Sequence, residues 1–163
     1  MLCVLVLGGF FAGGVMHACD AAAATASAEA VAWLNAQRVA NGLPSGIVDE
    51  PSWDVACEHH VNWLHLNPDR ATAEEQHDEV PGTPGYTTDG AWAGEHSVLD
   101  ATFSALTSVG AEREPDYSAY PWGALDGWEW APLHLMQLLN PALDVTGFYP
   151  GCMVTLGAAS PEP

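Results

Sequence analysis

Imidazoles and carboxylates recur along one stretch of this chain: His77, Asp78 and Glu79, then Glu95 and His96, with His134 further on. Pro84, Gly85, Tyr86 and Gly90 lie between them and favour a shaped loop over a regular element. Neutral imidazole nitrogens and carboxylate oxygens are what a cleft needs to bind a cation or a polar ligand. They name no reaction. The nucleophile-elbow pattern Gly-x-Ser-x-Gly is absent, and so is the zinc-protease pattern His-Glu-x-x-His. Ser97 beside His96 reads as a helix cap. Whether two carboxylates stand at a glycosidase separation is a three-dimensional question and stays open.

Three further histidines, His59, His60 and His65, fall on one predicted helix. His60 shares the apolar face of that helix, which implies a buried, hydrogen-bonded role. His59 and His65 lack the three- or four-residue spacing that would put two ligands on one helix face.

The elements that position these residues follow from propensity and period. Residues 28–41 form a first helix, rich in Ala, Glu, Gln and Arg, with Val31, Leu34 and Val39 as its stripe and Gly42 as its stop. A second helix starts at a Ser52 cap after Pro51, places Trp53, Cys57, His60 or Val61 and Leu64 on one face, and ends at Pro68. Residues 69–94 are too polar and too rich in Gly and Pro for a regular element, so they form a long loop turning at Gly82, Gly85 and Gly90. Ser97 to Asp100 fits a Ser-x-x-Asp cap opening a third helix to about Val109. Residues 110–127 form a second polar loop anchored by Tyr117, Tyr120 and Trp122. Pro132 starts a short helix to about Asn140, and two β-like runs flank Pro150 and Gly151.

The chain has 163 residues, enough for one domain with a real core. It carries 21 acidic residues against three arginines and no lysine, a formal net charge of −18. Such a surface repels phosphate, which excludes nucleic acid as a partner and favours cations. Leu2 to Val15 is an apolar run of signal-peptide length, too short for a comfortable membrane span. Met16-His17-Ala18-Cys19 resembles a lipobox, with Cys19 as the lipidated residue, and the alanines after it offer ordinary cleavage sites instead. The chain thus divides into a leader or lipoprotein segment with an Ala-rich linker at 1–27, one domain at 28–157, and a disordered tail at 158–163. Localisation is outside the cytoplasm, in the cell envelope or beyond it. Removing the leader leaves Cys57 and Cys152, an even pair that reads as a disulfide, with two separate buried thiols as the alternative.

Five segments in order resemble the CAP superfamily, the SCP-like extracellular proteins. Leu34-Asn35-x-x-Arg38 precedes Gly42-Leu43, and Ala56-Cys57-x-x-His60 follows on the second helix. The loop holds His77 and Glu79 with Pro84-Gly85-Tyr86, and Gly94-Glu95-His96 is similar to the family's Gly-Glu-Asn. Trp128-x-x-Ala131-Pro132-x-His134 leads to Leu138-Leu139-x-Pro141 and Gly147. The family's Gly-His-Tyr-Thr segment is not visible, and His96 replaces its usual Asn.

The resemblance implies an α+β fold, an α-β-α sandwich with a small antiparallel sheet between helical layers. It implies an extracellular module that binds a small ligand, a divalent metal or an extracellular protein partner. Carried over by position, His77, Glu95 and His134 are the metal ligands, a set suited to zinc, with Glu79 and His96 completing the ligand-binding group. Glu79 would orient His77 or accept a proton. A metal-dependent hydrolase using the same cleft and a purely structural cell-surface module are the alternatives.

Overall fold

In a computed structural model the chain is described over residues 18–70, 72–99 and 132–155. Helix α1 spans Ala18–Ala40. It begins well before residue 28 because the alanines upstream are the strongest helix formers and carry the helix through. Ala30, Val31 and Leu34 enter the core, and Ala26 packs against it. Val39 does not: it is 58% exposed, and the neighbouring Arg38 is buried in its place. Gly42 takes φ of +76°, which lets the Leu43 amide reach back to the Arg38 carbonyl and close the helix.

Asn35 and Arg38 are fasteners. Asn35 accepts the Gly46 and Ile47 amides at 2.8 and 3.0 Å and donates to the Ile47 carbonyl at 3.0 Å. The Arg38 guanidinium donates to four carbonyls: Pro44 at 3.2 Å, Leu138 at 3.2 Å, Asn140 at 2.8 Å and Leu143 at 3.3 Å. Arg38 thereby caps the end of the short helix α5, Pro132–Leu138, where orphan carbonyls need donors.

Strand β1, Val48–Asp49, leads into helix α2, Pro51–Leu66. The cap of α2 is Glu50 rather than Ser52. Its carboxylate accepts the Ser52 amide and hydroxyl at 3.2 and 2.8 Å, and Pro51 takes the first helical position. Ala56, Cys57, His60, Val61 and Trp63 are buried.

Residues 69–94, expected as one long loop, contain two helices. Helix α3, Ala73–His77, is held by a reciprocal capping box between Thr72 and Glu75. Helix α4, Thr88–Glu95, starts at a Thr87 cap. Gly82 and Gly85 do sit at turns, with φ of +87° and +78°, whereas Gly90 lies inside α4.

Ser97–Leu99 is strand β2 and not a helix start. All three residues are buried and pair antiparallel with strand β5, Cys152–Val154. Tertiary pairing and burial override the local capping pattern here. Strands β3, Val145–Thr146, and β4, Phe148–Tyr149, complete the set. The sheet order is β2-β5-β4, antiparallel, and a separate parallel pair joins β1 to β3. The fold is therefore α+β.

The core has two parts. One gathers α1, β2, α5 and the hairpin through Leu34, Ile47, Val98, Leu138, Phe148 and Met153. The other surrounds the Cys57–Cys152 disulfide with Val61, Leu99 and Val154. That bond, with Cα atoms 5.5 Å apart and a sequence separation of 95, ties α2 to β5. It is a bond type of oxidising compartments. No helix among the described residues is long and apolar enough to cross a membrane. The leader to His17, the helix expected to Val109, the loop at 110–127, Trp128 and the tail lie outside the described residues.

Candidate functional site

Helix α2 offers two adjacent histidines to the segment that follows it, and they meet different fates. His60 has no exposed surface and lies against Trp63, ring centroids 5.9 Å apart and 19° from parallel. Its Nδ1 is 3.0 Å from Glu79 Oε1, both side chains being fully sequestered. The other carboxylate oxygen of Glu79 accepts the Thr87 amide at 3.2 Å. Glu79 therefore pairs with His60, not with His77 as expected. The expectation of a satisfied His60 holds at Nδ1; its Nε2 is buried with no hydrogen-bond partner among the described residues.

His59 is half-buried and pairs with Asp89 at 2.8 Å. Burial pushes the Asp89 carboxyl up, but the hydrogen bond to Thr87 and the His59 ring outweigh it and hold the group below the ordinary carboxylate range. Together the two pairs clamp the 78–89 segment onto α2. Trp63 adds a third tie by donating to Thr83 Oγ1 at 2.7 Å, and Asn67 a fourth by donating to the Pro84 carbonyl at 2.9 Å.

Close approach requires small residues on α4. A β-carbon on Gly90 would stand 2.6 Å from Glu79 Oε1 and 2.6 Å from Thr87 Oγ1. One on Gly94 would collide with the His60 ring and the His77 carbonyl. Glycine at both positions is a packing requirement rather than a turn.

His77 ends α3, half-buried, with its Nδ1 2.5 Å from the Gly94 carbonyl. A carbonyl oxygen can only accept, so Nδ1 carries a proton, and in the neutral ring Nε2 keeps its lone pair. His96, the residue after α4, repeats the arrangement: Nδ1 donates to the Trp92 carbonyl at 2.7 Å. Its ring stacks on Trp92 at 5.0 Å and 22°, and Trp92 lies 5.3 Å from Trp53. Backbone acceptors of this kind orient metal-ligating imidazoles and fix their tautomer. Both rings thus present Nε2 as a base, a hydrogen-bond acceptor or a ligand.

Two expected residues remain. Glu95 is exposed, and His134 is half-buried on α5. Among the described residues no group of three or more His, Cys, Asp or Glu is placed to hold a metal ion, so His77, Glu95 and His134 do not form a closed three-ligand set. A shallow depression of about 270 Å³ at the end of α2, lined by Leu66, Asn67, Pro68, Asp69, Arg70 and Glu75, contains none of the candidate residues.

No family model, curated protein or solved structure matches this chain. The site therefore rests on its own geometry. Sequence reasoning missed the His60–Glu79 pair, although a histidine on an apolar helix face was itself the signal: once buried, it needs a polar partner.

Proposed function

We propose that this chain is an exported, CAP-like binding module that holds a cationic ligand at the imidazole edge of His77, without chemistry on that ligand. The observation that carries the reading is the hydrogen bond from His77 Nδ1 to the Gly94 carbonyl, which leaves the Nε2 lone pair on a half-exposed ring. A net charge of −18 supports a cation over an anion. The α-β-α sandwich belongs to the same proposal; the packing of α1 and α2 on the small antiparallel sheet supports it. Export draws on the apolar run Leu2 to Val15 and on the disulfide, with Cys19 as the candidate lipid anchor.

Zinc chloride titrated calorimetrically into the full chain tests this. His77→Ala is expected to weaken zinc binding by about tenfold or more while circular dichroism stays that of the wild type. His134→Ala, run alongside, reads whether α5 contributes a ligand as the family resemblance implies.

A second reading is a purely structural His/Glu network, and the complete burial of the Glu79 side chain favours it. Under that reading His77→Ala changes stability and no zinc binding exists to lose.

A further inference from the structure

Ser27, Asp49 and Asp54 come from α1, β1 and α2 and meet at one point. The Ser27 hydroxyl is 2.7 Å from Asp49 Oδ1 and 3.1 Å from Asp54 Oδ1. Both carboxyls therefore converge on one hydroxyl. Asp54 Oδ1 accepts the Phe148 backbone amide of β4 at 2.6 Å. Ser27 has no exposed surface, and Asp49 and Asp54 are half-buried. Gly147 presses on the Trp53 and Asp54 backbone, so the joint is packed tightly against the first turn of α2.

Counting hydrogens decides what this cluster is. If both carboxyls are ionised, their two approaches to Ser27 Oγ share a single hydrogen, that of the hydroxyl. A hydroxyl donates one bond, so one carboxylate oxygen would oppose the Ser27 oxygen lone pair to lone pair. One added proton on a carboxyl provides the second donor.

We propose that Ser27, Asp49 and Asp54 form a proton-operated latch, which fastens α1 to β1, α2 and β4 in acid and slackens as the solution becomes neutral. The charged group acting on Asp54 is Asp49 of β1. Helix α1 contributes the Ser27 hydroxyl and β4 the Phe148 amide, both of which favour the ionised form. Glu50, next to Asp49, is occupied in capping α2 at Ser52.

Burial raises the Asp54 carboxyl from 3.8 to about 6, against the Phe148 amide and with the help of the Asp49 charge. The folded pKa lies above the unfolded one, so the folded chain binds the extra proton between those values. The contribution to stability is therefore complete below 3.8, declines as pH rises, and is lost above about 6.

The test is a carbon-detected NMR titration of the Asp54 carboxyl in the full chain, with thermal midpoints of wild type and Asp54→Asn from pH 4 to 8. Asparagine mimics the uncharged acid: it keeps an oxygen to accept the Phe148 amide and adds an N–H donor. The latch requires an Asp54 titration near 6 that falls toward the ordinary range in Asp49→Asn. It also requires a midpoint difference that moves in favour of Asp54→Asn as pH rises. An Asp54 that titrates near 4, or a difference that stays constant across the range, overturns it. Should Asp54→Asn not fold, the titrations of wild type and Asp49→Asn still decide.

Discussion

His60 and Glu79 meet 3.0 Å apart with neither side chain touching solvent, and the segment between α3 and α4 is built around that contact. A carboxylate so enclosed is tolerable only because each oxygen has a partner, His60 Nδ1 on one and the Thr87 amide on the other. The pair makes the 78–87 segment a fixed part of the fold, and the position of His77 at its edge follows from that.

Removing one member should leave a buried, uncompensated polar group. Glu79→Ala and His60→Ala are each expected to lower unfolding stability by about 3–5 kcal/mol in urea denaturation. Gly90→Ala should destabilise through the same contact, because its β-carbon would stand 2.6 Å from Glu79 Oε1. A loss below about 1 kcal/mol for Glu79→Ala would show that the pair does not hold the segment.

Arg38 is a buried cation whose partners are all carbonyls. Arg38→Met should remove four donated bonds at once and strand acceptors at Pro44, Leu138, Asn140 and Leu143. The expected cost is about 3–5 kcal/mol, from the range for unsatisfied buried groups. Arg38→Lys should recover only part of it, since an ammonium lacks the planar fork that reaches separate carbonyls. Equal stability for Lys and Arg in guanidinium unfolding would contradict this account.

The Cys57–Cys152 bond closes a loop with a sequence separation of 95. Its reduction is expected to cost about 4–5 kcal/mol in the chain-entropy model. Unfolding curves with and without dithiothreitol read the difference directly. Coincident curves would mean that the bond contributes nothing to the fold.

How much of this was legible in the sequence depended on whether the deciding interaction was local. Helices α1, α2 and α5 were visible because propensity, period and the proline at the start of α5 all act within a turn or two. The hairpin at Pro150 and Gly151 and the Cys57–Cys152 bond were visible for similar reasons, the latter by counting cysteines. Helices α3 and α4 were hidden by the polar, Gly- and Pro-rich composition of residues 69–94, with Gly90 read as a turn. Their caps at Thr72 with Glu75 and at Thr87 were nonetheless in plain sight.

Ser97 misled because a capping pattern is local while the pairing of Ser97–Leu99 with Cys152–Val154 is not. The site was legible as a set of residue types, not as a set of contacts. Nothing in the spacing says that Glu79 turns inward to His60 or that His77 reaches the Gly94 carbonyl. Nor does it say that Asp49 and Asp54 meet under Ser27. Those are products of how α4 and β1 pack on α2.

The most direct measurement is a long-range nitrogen–proton NMR correlation of the His77 ring at pH 7.5, before and after zinc chloride is added. The account predicts a protonated Nδ1 and a pyridine-type Nε2 in the free chain, with the Nε2 resonance moving on zinc addition while Nδ1 keeps its proton. A ring protonated at Nε2, or a His77 resonance that zinc leaves unmoved, would contradict it.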